Sequence, residues 1–326
     1  MKAVVYQKYG KPDVIELKEI EKPVPKENEV LIKVYATTIT AVDSIFRNGN
    51  NFFARLATGI TKPKKEILGF EFSGVLESVG KDVKLFKAGD QVFGVSESAH
   101  MEYISLPENN AFITKPSNLS FEEAAAVPSG ALTALPFLRD NGKIESGKKI
   151  LIIGASGSVG TYAVQFAKYY GAEITGVCST VNSELVKSLG ADFIIDYTKE
   201  DFTKSRKTYD IIFDTVGKSS YQVCKNSLNY NGIFLTTFIS WAILFQMLLT
   251  SKSKNKKAAI AFTGMRSVED KKKDLLFIKE LIEYGKLKAV IDKTYKLEEA
   301  AKAHEYVDKG HKKGNVVLKI TNNKSE

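Results

Sequence analysis

Short apolar runs and turn residues alternate through the first 118 residues of the chain. Runs such as KAVVYQ, EVLIKVYATTI and QVFGVS are separated by turns rich in glycine, proline, asparagine and lysine. Short strands at this spacing are typical of a small barrel rather than of a parallel sheet. The pattern predicts a partly open β-barrel in this part of the chain.

The pattern changes near Ser120. Ser120 and Glu123 form a capping-box pair at the start of SFEEAAAVPSGALTALPFL, which predicts a single helix through the alanine-rich run. From Lys149 to about Phe262, apolar runs such as KILIIG, EITGVC and YDIIFDTV alternate with helical segments. Strands that alternate with helices build a doubly wound parallel sheet, so we predict an α/β fold. The last segments, VIDKTYK and NVVLKI, are expected to complete the first domain.

Three glycines, Gly154, Gly157 and Gly160, stand where the KILII strand meets the following helix. Gly154 permits a tight exit from the strand, Gly157 lets a pyrophosphate approach the backbone, and Gly160 lets the helix pack close to the sheet. The N–H groups of Ser156–Val159 would point at phosphates from the helix N-terminus. A strand before the turn and a helix after it favour a dinucleotide site over a plain connecting loop.

The end of the next strand bears on which dinucleotide binds. An NAD site places Asp or Glu there, about 20 residues after the glycines, to bind the ribose hydroxyls. Here EITGVC is followed by Ser179 and Thr180, with no carboxylate before Glu184. Hydroxyl and amide groups donate hydrogen bonds to a 2′-phosphate, which a carboxylate would repel, so we predict NADPH. The candidate cofactor-binding residues at the strand ends and the turn are Gly154, Ser156, Gly157, Ser158, Val159, Gly160, Ser179, Thr180, Asn182, Tyr197, Thr215 and Phe238.

Composition narrows the class of protein. With 326 residues, 44% hydrophobic and 26% charged, the chain has the length of about two globular domains. Two cysteines, Cys178 and Cys224, exclude a disulfide framework and a cysteine-rich zinc lobe, and the first residues do not resemble a secretory signal. We therefore expect a cytoplasmic protein. The net charge is +9, but the lysines are dispersed, and no nucleic-acid partner is expected.

Six motifs occur in order along nearly the whole chain: KAVVY, GFEFSGVLESVG, KAGDQVFG, GALTAL, GASGSVG and SLGADFIIDY. In these motifs the chain resembles the medium-chain dehydrogenases/reductases, in the zinc-free quinone oxidoreductase branch. The resemblance implies a GroES-like catalytic domain at 1–119 and 271–326 and a Rossmann NADP-binding domain at 120–270. It also implies a cleft between the domains and a homodimer.

The resemblance also bears on metal. Zinc-dependent relatives bind a catalytic zinc with a Cys and a His, at positions that match Thr40 and Phe70 here. Asp43 and Glu71 keep their carboxylates, but carboxylates alone are a poor zinc ligand set. We expect no metal. Structural hydrogen bonding and catalysis remain equally consistent roles for Asp43 and Glu71.

The loss of zinc changes the expected reaction. Zinc is a Lewis acid that stabilises the alkoxide when a plain alcohol or ketone exchanges hydride. Without zinc the acceptor must delocalise its own negative charge, as quinones and α,β-unsaturated carbonyls do. We therefore expect hydride transfer from NADPH to a quinone or enone, with the protein aligning the partners. The alternative is an NADPH-binding redox sensor or membrane-associated assembly factor with little catalysis.

Relatives place an Asn and a Tyr in the substrate segment, where this chain has Thr40 and Ile45. Solvent or the Thr40 hydroxyl is then expected to supply the proton. Thr133, in GALTAL, matches a residue near the nicotinamide amide in relatives, and His304 and His311 are predicted to be exposed. The candidates in the substrate segment are Thr40 and Asp43 as catalytic residues and Ile45, Phe46 and Phe70 as substrate contacts.

The apolar stretch GIFLTTFISWAILFQMLL contains no charge and is followed by SKSKNKK. Because GIFLTTF fits a fifth parallel strand, about eleven residues remain for a helix, too few to span a membrane. Two alternatives stay open for 239–257. The helix lines the substrate cleft or packs on a partner subunit, or it rests on a membrane with nearby lysines facing anionic headgroups. Those lysines are Lys252, Lys254, Lys256 and Lys257.

Overall fold

The structure is a computed structural model, and it describes residues 1–253 and 255–320. The strands are β1 (Lys2–Tyr6), β2 (Ile15–Glu19), β3 (Glu29–Ile39), β4 (Glu71–Val79), β5 (Gln91–Val95), β6 (Tyr103–Pro107), β7 (Phe112–Thr114), β8 (Lys149–Ile153), β9 (Glu173–Cys178), β10 (Phe193–Asp196), β11 (Tyr209–Asp214), β12 (Leu228–Thr236), β13 (Lys257–Ala259), β14 (Ile291–Lys296) and β15 (Asn315–Lys319). The helices are α1 (Ala41–Asn48), α2 (Phe52–Thr58), α3 (Phe121–Ala125), α4 (Pro128–Pro136), α5 (Ser158–Tyr169), α6 (Ser183–Ser188), α7 (Tyr221–Cys224), α8 (Trp241–Thr250), α9 (Val268–Glu283) and α10 (Ala300–Asp308).

The chain divides into two compact units. The first is Met1–Ser129 with Ser267–Glu326, of which 321–326 lie outside the described residues, and the second is Gly130–Arg266. These divisions fall after the predicted boundary at 119 and before the one at 271. The difference has a packing cause, because α3 lies against β3 and β4, and α9 lies against β7. Both helices therefore belong with the strands of the first unit.

Antiparallel pairing dominates the first unit. β1 pairs with β2, and a seven-stranded sheet has the order β14-β15-β3-β4-β5-β7, with β6 also paired to β3. The long strand β3 joins β15, β4 and β6, so the C-terminal segment completes this sheet as predicted. Alternate residues of β3 point into one core, as the two-residue period of a strand requires. That core includes Val30, Ile32, Val34, Phe72, Leu76, Val92, Ile104 and Phe112.

The prediction that His304 is exposed is wrong. His304 lies in α10 and is fully buried, together with Ala300, Ala303 and Val307. These positions are spaced i, i+3, i+4 and i+7, which places them on one helix face. The many charged residues of the segment lie on the other face and hide this stripe in the sequence. His311, beyond the helix, is exposed as predicted.

The second unit contains six parallel strands in the order β10-β9-β8-β11-β12-β13. The predicted α/β fold with a doubly wound parallel sheet is confirmed. β8 is the first strand of this unit and lies between β9 and β11, so the strand order reverses beside it. Ligands of such sheets bind beyond the carboxyl ends of the strands at this reversal.

The alanine-rich run forms two helices rather than the predicted one. Ser120 and Glu123 make the expected capping box, but α3 ends at Ala125 and α4 begins at Pro128. A proline disfavours helical backbone in the residue before it and is well suited to the first position of a helix. Pro128 therefore ends one helix and starts the next.

Candidate functional site

The glycine turn follows β8 at the reversal point of the parallel sheet. Gly154 has φ of +79°, and a side chain there would meet Val216 Cγ1 at 2.5 Å. A Cβ on Gly160 would lie 2.1 Å from the carbonyl oxygen of Gly154. Backbone conformation therefore requires glycine at the first position, and close packing of α5 on the turn requires it at the third.

Gly157 is a glycine for a different reason. Its φ is −79° and its ψ 179°, which any residue adopts, and it caps the N-terminus of α5 without a side chain. A Cβ there would meet Gly154 O at 3.4 Å, an ordinary contact. The turn itself therefore tolerates a side chain at Gly157. The space beside this backbone suits a group that approaches the helix N-terminus closely.

The carboxyl ends of neighbouring strands gather the other candidates around this turn. Thr215, which follows β11, donates its hydroxyl to Ile153 O at 2.8 Å and so ties two strand ends together. Phe238, beyond β12, is partly exposed, and its ring fills the space above Gly217. Thr133 lies in α4 and is half-buried. The sheet thus brings the turn, Thr215 and Phe238 to one edge.

Ser156 and Asn182 form a buried pair at this edge. Asn182 Nδ2 donates to Ser156 Oγ at 3.0 Å, and both residues are nearly inaccessible. Asn182 was expected to donate to a 2′-phosphate, but the structure uses its amide to fix the serine. Asn182 therefore positions the glycine turn, while Ser179 and Tyr197 remain accessible beside the end of β9.

Asp196 is a carboxylate that the sequence reasoning overlooked. It ends β10 in register with Cys178 at the end of β9. Thr180 Oγ1 donates to Asp196 Oδ2, and Thr198 donates its N–H and hydroxyl to Oδ1 at 3.0 and 2.7 Å. The bonds from Thr180 and then Thr198 hold the pKa of Asp196 well below its usual range. The sequence pattern for a ribose-binding acid concerns the residues directly after β9, whereas Asp196 ends the neighbouring strand β10.

Thr40 and Asp43, predicted as catalytic, together cap α1. Asp43 Oδ2 accepts from Thr40 N at 2.8 Å and from Thr40 Oγ1 at 2.7 Å, and Oδ1 accepts from Gly69 N at 2.9 Å. Asp43 is fully buried, and Thr40 nearly so. These are the bonds of a capping box extended to a neighbouring loop. A proton-transfer role for Thr40 would require this bond to Asp43 to break.

Glu71 is a second buried acid of the first unit. Its Oε1 accepts from Thr38 Oγ1, and its Oε2 accepts from Ser129 N at 2.6 Å, in the first turn of α4. Burial raises the pKa of Glu71 to about 7, although the bonds from Thr38 and Ser129 oppose the shift. Burial lowers the pKa of Lys312 to about 8, and the nearby Glu71 opposes it. Glu71 thus holds a helix N-terminus, where an acid is favoured.

Further buried polar groups lie between α1 and α10. His100 Nε2 donates to Thr38 O at 3.0 Å, and its ring meets that of His304 edge-on with centroids 6.0 Å apart. Arg47 is fully buried and pairs with Asp308 at 2.5 Å. Burial, and then His100 and Arg47, hold the pKa of His304 well below its usual value. His304 is therefore a neutral residue at neutral pH.

The predicted substrate contacts form a half-buried apolar group. The rings of Phe46 and Phe70 meet edge-on with centroids 5.4 Å apart. Ile45, adjacent in α1, is also half-buried. The structure thus brings Phe46 and Phe70 together, and contact of these residues with a substrate stays a prediction.

Comparison with known proteins identifies the family to which this chain belongs. Residues 26–136 match the alcohol dehydrogenase GroES-like domain, and residues 189–318 match the zinc-binding dehydrogenase family. The chain is 32% identical over 365 residues to the mitochondrial NAD(P)H oxidoreductase RTN4IP1 of Mus musculus, covering 98% of this chain and 89% of that protein. The chain belongs to the medium-chain dehydrogenase/reductase superfamily.

Two other members of the superfamily extend the comparison. The chloroplastic NADPH-dependent alkenal/one oxidoreductase of Arabidopsis thaliana is 33% identical over 337 residues, covering 98% of this chain and 79% of that protein. The solved quinone oxidoreductase of Coxiella burnetii aligns with a TM-score of 0.87 and 28% identity, covering 98% of this chain and 99% of that one. This medium-chain dehydrogenase/reductase is therefore an oxidoreductase with the predicted Rossmann-like and GroES-like parts.

The zinc that names the matched family does not fit the residues present here. Thr40 and Phe70 offer no Cys or His ligand, and both carboxylate oxygens of Asp43 already accept hydrogen bonds. Within residues 1–253 and 255–320, no three His, Cys, Asp or Glu side chains group as a metal site. A catalytic zinc site needs three protein ligands, and a structural zinc site needs four. The described residues therefore do not supply a zinc ligand set.

Proposed function

We propose that this protein is an NADPH-dependent reductase that transfers hydride to a quinone or an α,β-unsaturated carbonyl without a metal. The observation that carries the cofactor part of the proposal is Gly157. Neither its backbone angles nor its neighbours demand a glycine, whereas a pyrophosphate at the helix N-terminus does. The names of relatives support the acceptor class, since an alkenal/one oxidoreductase and a quinone oxidoreductase are among them.

The residues at the carboxyl edge fit a dinucleotide. The N-terminus of α5 would hold the pyrophosphate, and Ser156 would be fixed in place by Asn182. The expected donation from Gly157 N–H does not fit, because this group already donates to Gly154 O at 3.0 Å. Thr215 and Phe238 would border the cofactor beyond the turn. When bound, the reduced nicotinamide supplies the hydride, and the protein supplies orientation.

The proton that completes the reduction would come from solvent. The Thr40 hydroxyl donates to Asp43 and lies inside the cap of α1, so it is engaged before any substrate arrives. Quinones and enones suit a site of this kind because the charge formed on hydride addition is delocalised over the acceptor. The half-buried rings of Phe46 and Phe70 offer apolar contact to such an acceptor.

NADPH preference is the finer part of the proposal. Tyr197 and Ser179 are accessible at the end of β9 and can donate to a 2′-phosphate. Asp196 disfavours NADPH, because its carboxylate lies beside the same strand end and would repel a 2′-phosphate. Thr180 and Thr198 already bind both of its oxygens, and Lys199 lies 3.4 Å from it, which reduces its repulsion of a phosphate.

Steady-state turnover tests this function. Oxidation of NADPH and of NADH is followed separately with a panel of quinones and alkyl-substituted enones, before and after treatment with a metal chelator. We expect turnover with NADPH on at least one acceptor class, a higher kcat/KM than with NADH, and no loss on chelation. Turnover restricted to NADH, or activity that returns only with added zinc, would contradict the proposal.

A second candidate is an NADPH-binding redox sensor with little turnover, favoured by the engaged Thr40 hydroxyl and the missing proton donor. Tight NADPH binding without turnover on any acceptor of the panel would select it. The homodimer implied by the resemblance also stays a prediction, and sedimentation equilibrium tests it. Cytoplasmic location likewise stays a prediction, which fractionation of the source cells tests.

A further inference from the structure

One segment of the chain carries no acid. Between Asp214 and Glu269 there is no Asp or Glu, while seven Lys and Arg residues occur. The net charge of the whole chain is +9, so this segment contains most of the excess positive charge. The cations are Lys218, Lys225, Lys252, Lys254, Lys256, Lys257 and Arg266, of which Lys254 lies outside the described residues.

The helix at the centre of this segment, α8, is apolar on two opposite faces. Ile243 is buried, and Met247 packs against the same core. The outer face presents Trp241, Phe245, Leu248 and Leu249, with exposed fractions of 69%, 61%, 73% and 64%. These four follow the spacing i, i+4, i+7 and i+8, which aligns them along one side of the helix. Four large apolar side chains side by side form a patch of the kind that marks a contact surface.

Cations lie at the C-terminal end of the same helix. Lys252 and Lys257 are exposed, and Lys256 Nζ donates to Lys225 O at 2.7 Å. Leu249 and Lys256 line a common open depression next to Lys225. Apolar side chains and lysines are thus adjacent on this surface, with no carboxylate in the segment to neutralise them.

We propose that the outer face of α8 and its flanking lysines dock on an anionic lipid bilayer. The four apolar side chains would enter the headgroup region, and the lysines would contact anionic headgroups. Among residues 1–253 and 255–320, no helix is long and apolar enough to cross a membrane. The helix would therefore lie in the plane of the interface, one of the two alternatives that the sequence leaves open.

Charge selects the bilayer over a second copy of the chain. A two-fold contact through α8 would place the same patch of each subunit against the other. Such an interface would gather the lysines of both acid-free segments and no carboxylate from either segment, and like charges gathered in one interface disfavour association. An anionic bilayer satisfies both the apolar face and the surrounding cations.

Trp241 provides a direct readout because it is the only tryptophan of the chain. The full-length protein is mixed with vesicles of phosphatidylcholine containing phosphatidylglycerol, and separately with pure phosphatidylcholine vesicles. We expect a blue shift of Trp241 emission, quenching by lipids brominated near the headgroup, and co-sedimentation at low salt with the anionic vesicles. Emission that does not change, with no pelleting at low salt, would overturn the proposal.

Matched variants separate the apolar contribution to vesicle binding from the electrostatic one. Phe245→Ser with Leu248→Ser keeps the probe and should weaken partitioning at least tenfold, whereas Phe52→Ser with Leu56→Ser, exposed positions of α2, should not. Lys252→Gln with Lys257→Gln should weaken partitioning onto anionic vesicles on the order of 25-fold, at about fivefold for each lysine. Lys62→Gln with Lys64→Gln is the charge-matched control.

Self-association is the outcome that would replace the bilayer. A blue shift that grows with protein concentration in the absence of vesicles, together with dimers that Phe245→Ser and Leu248→Ser dissociate, would assign α8 to a second copy. Turnover on water-soluble acceptors in vesicle-free buffer does not depend on this surface. Failure of the lipid experiment and failure of the proposed reductase function are therefore distinguishable.

Discussion

The glycine turn after β8 and the Thr40–Asp43 corner at the start of α1 use their polar groups in opposite ways. In the turn, small residues leave the start of α5 uncovered, and Gly157 has an ordinary backbone with no side chain. At the corner, both oxygens of Asp43 are taken by Thr40 and Gly69 within a buried cap. A polar group that is already satisfied internally stabilises the fold, whereas an uncovered helix N-terminus can bind a ligand. The next experiments test this contrast.

The largest loss of stability and of NADPH affinity is expected from a substitution at Gly160. A methyl group from Gly160→Ala would lie 2.1 Å from Gly154 O, so the turn must distort. We expect a loss of about 3 kcal/mol in the free energy of unfolding and at least a hundredfold weaker NADPH binding. Urea denaturation and fluorescence titration with NADPH measure the two quantities.

Gly157→Ala is the matched control for that variant. Its methyl group meets Gly154 O at 3.4 Å, so stability should change by less than about 0.5 kcal/mol. NADPH affinity should still fall, by about tenfold, because the methyl group occupies the space of the phosphates. Unchanged NADPH affinity in the folded Gly157→Ala protein would contradict the assignment of the turn.

Asp43→Ala tests the other side of the contrast. It removes the Asp43 half of the capping box of α1 and leaves Thr40 N–H and Gly69 N–H buried without their acceptor, which should cost about 3 kcal/mol in the free energy of unfolding. We expect kcat of the protein that remains folded to change by less than about fivefold, because both oxygens of Asp43 accept hydrogen bonds inside the protein. Wild-type stability combined with lost turnover would make Asp43 catalytic instead.

His304 is expected to make the free energy of unfolding depend on pH, with an effect of intermediate size. Its folded pKa lies well below that of an unfolded histidine, about 6.5, so the unfolded state takes up the proton first as the pH falls. Stability is therefore intact above about pH 6.5 and is lost below it, by about 2 kcal/mol at pH 5. His304→Leu should remove this part of the acid sensitivity, and His311→Leu, at an exposed position, should not. Equal urea midpoints for the two variants across this pH range would contradict the burial of His304.

The smallest effect concerns cofactor choice. Asp196→Asn should raise the preference for NADPH over NADH by about tenfold in kcat/KM, because a carboxylate beside the 2′-phosphate is removed. Asp201→Asn is the control, since Asp201 makes the same pair of bonds, to Thr203 N and Thr203 Oγ1, away from β9. Tyr197→Phe should lower the preference by about fivefold. An unchanged ratio in both Asp196→Asn and Tyr197→Phe would place the 2′-phosphate elsewhere.

Local patterns were sufficient to predict the second unit. A strand, a turn with three glycines and a helix are contiguous in sequence, and their geometry follows from residues next to one another. The parallel pairing of its strands likewise follows from alternating apolar runs and helices. Prediction of the turn therefore needed no long-range contact.

Distant contacts explain what the sequence did not reveal. The neutral state of His304 depends on burial against His100, about 200 residues earlier in the chain, and its charged neighbours in α10 suggested exposure. Burial raises the pKa of Glu71 and lowers that of Lys312, and the charge of each group opposes the shift of the other. Asp196 reaches Thr180 because β10 pairs with β9. In each case the two residues are separated in sequence and come close to each other only when the chain folds.

Hydrogen–deuterium exchange with and without NADPH tests the contrast between the turn and the corner most directly. Within 154–161 we expect NADPH to slow exchange at the first-turn amides of α5, 158–160, and also at those beside Ser179, because the pyrophosphate and ribose would cover them. Amides of 40–48, already protected inside the cap of α1, should not change. Protection at 40–48 with none at 154–161 would contradict the assignment of the cofactor to the glycine turn.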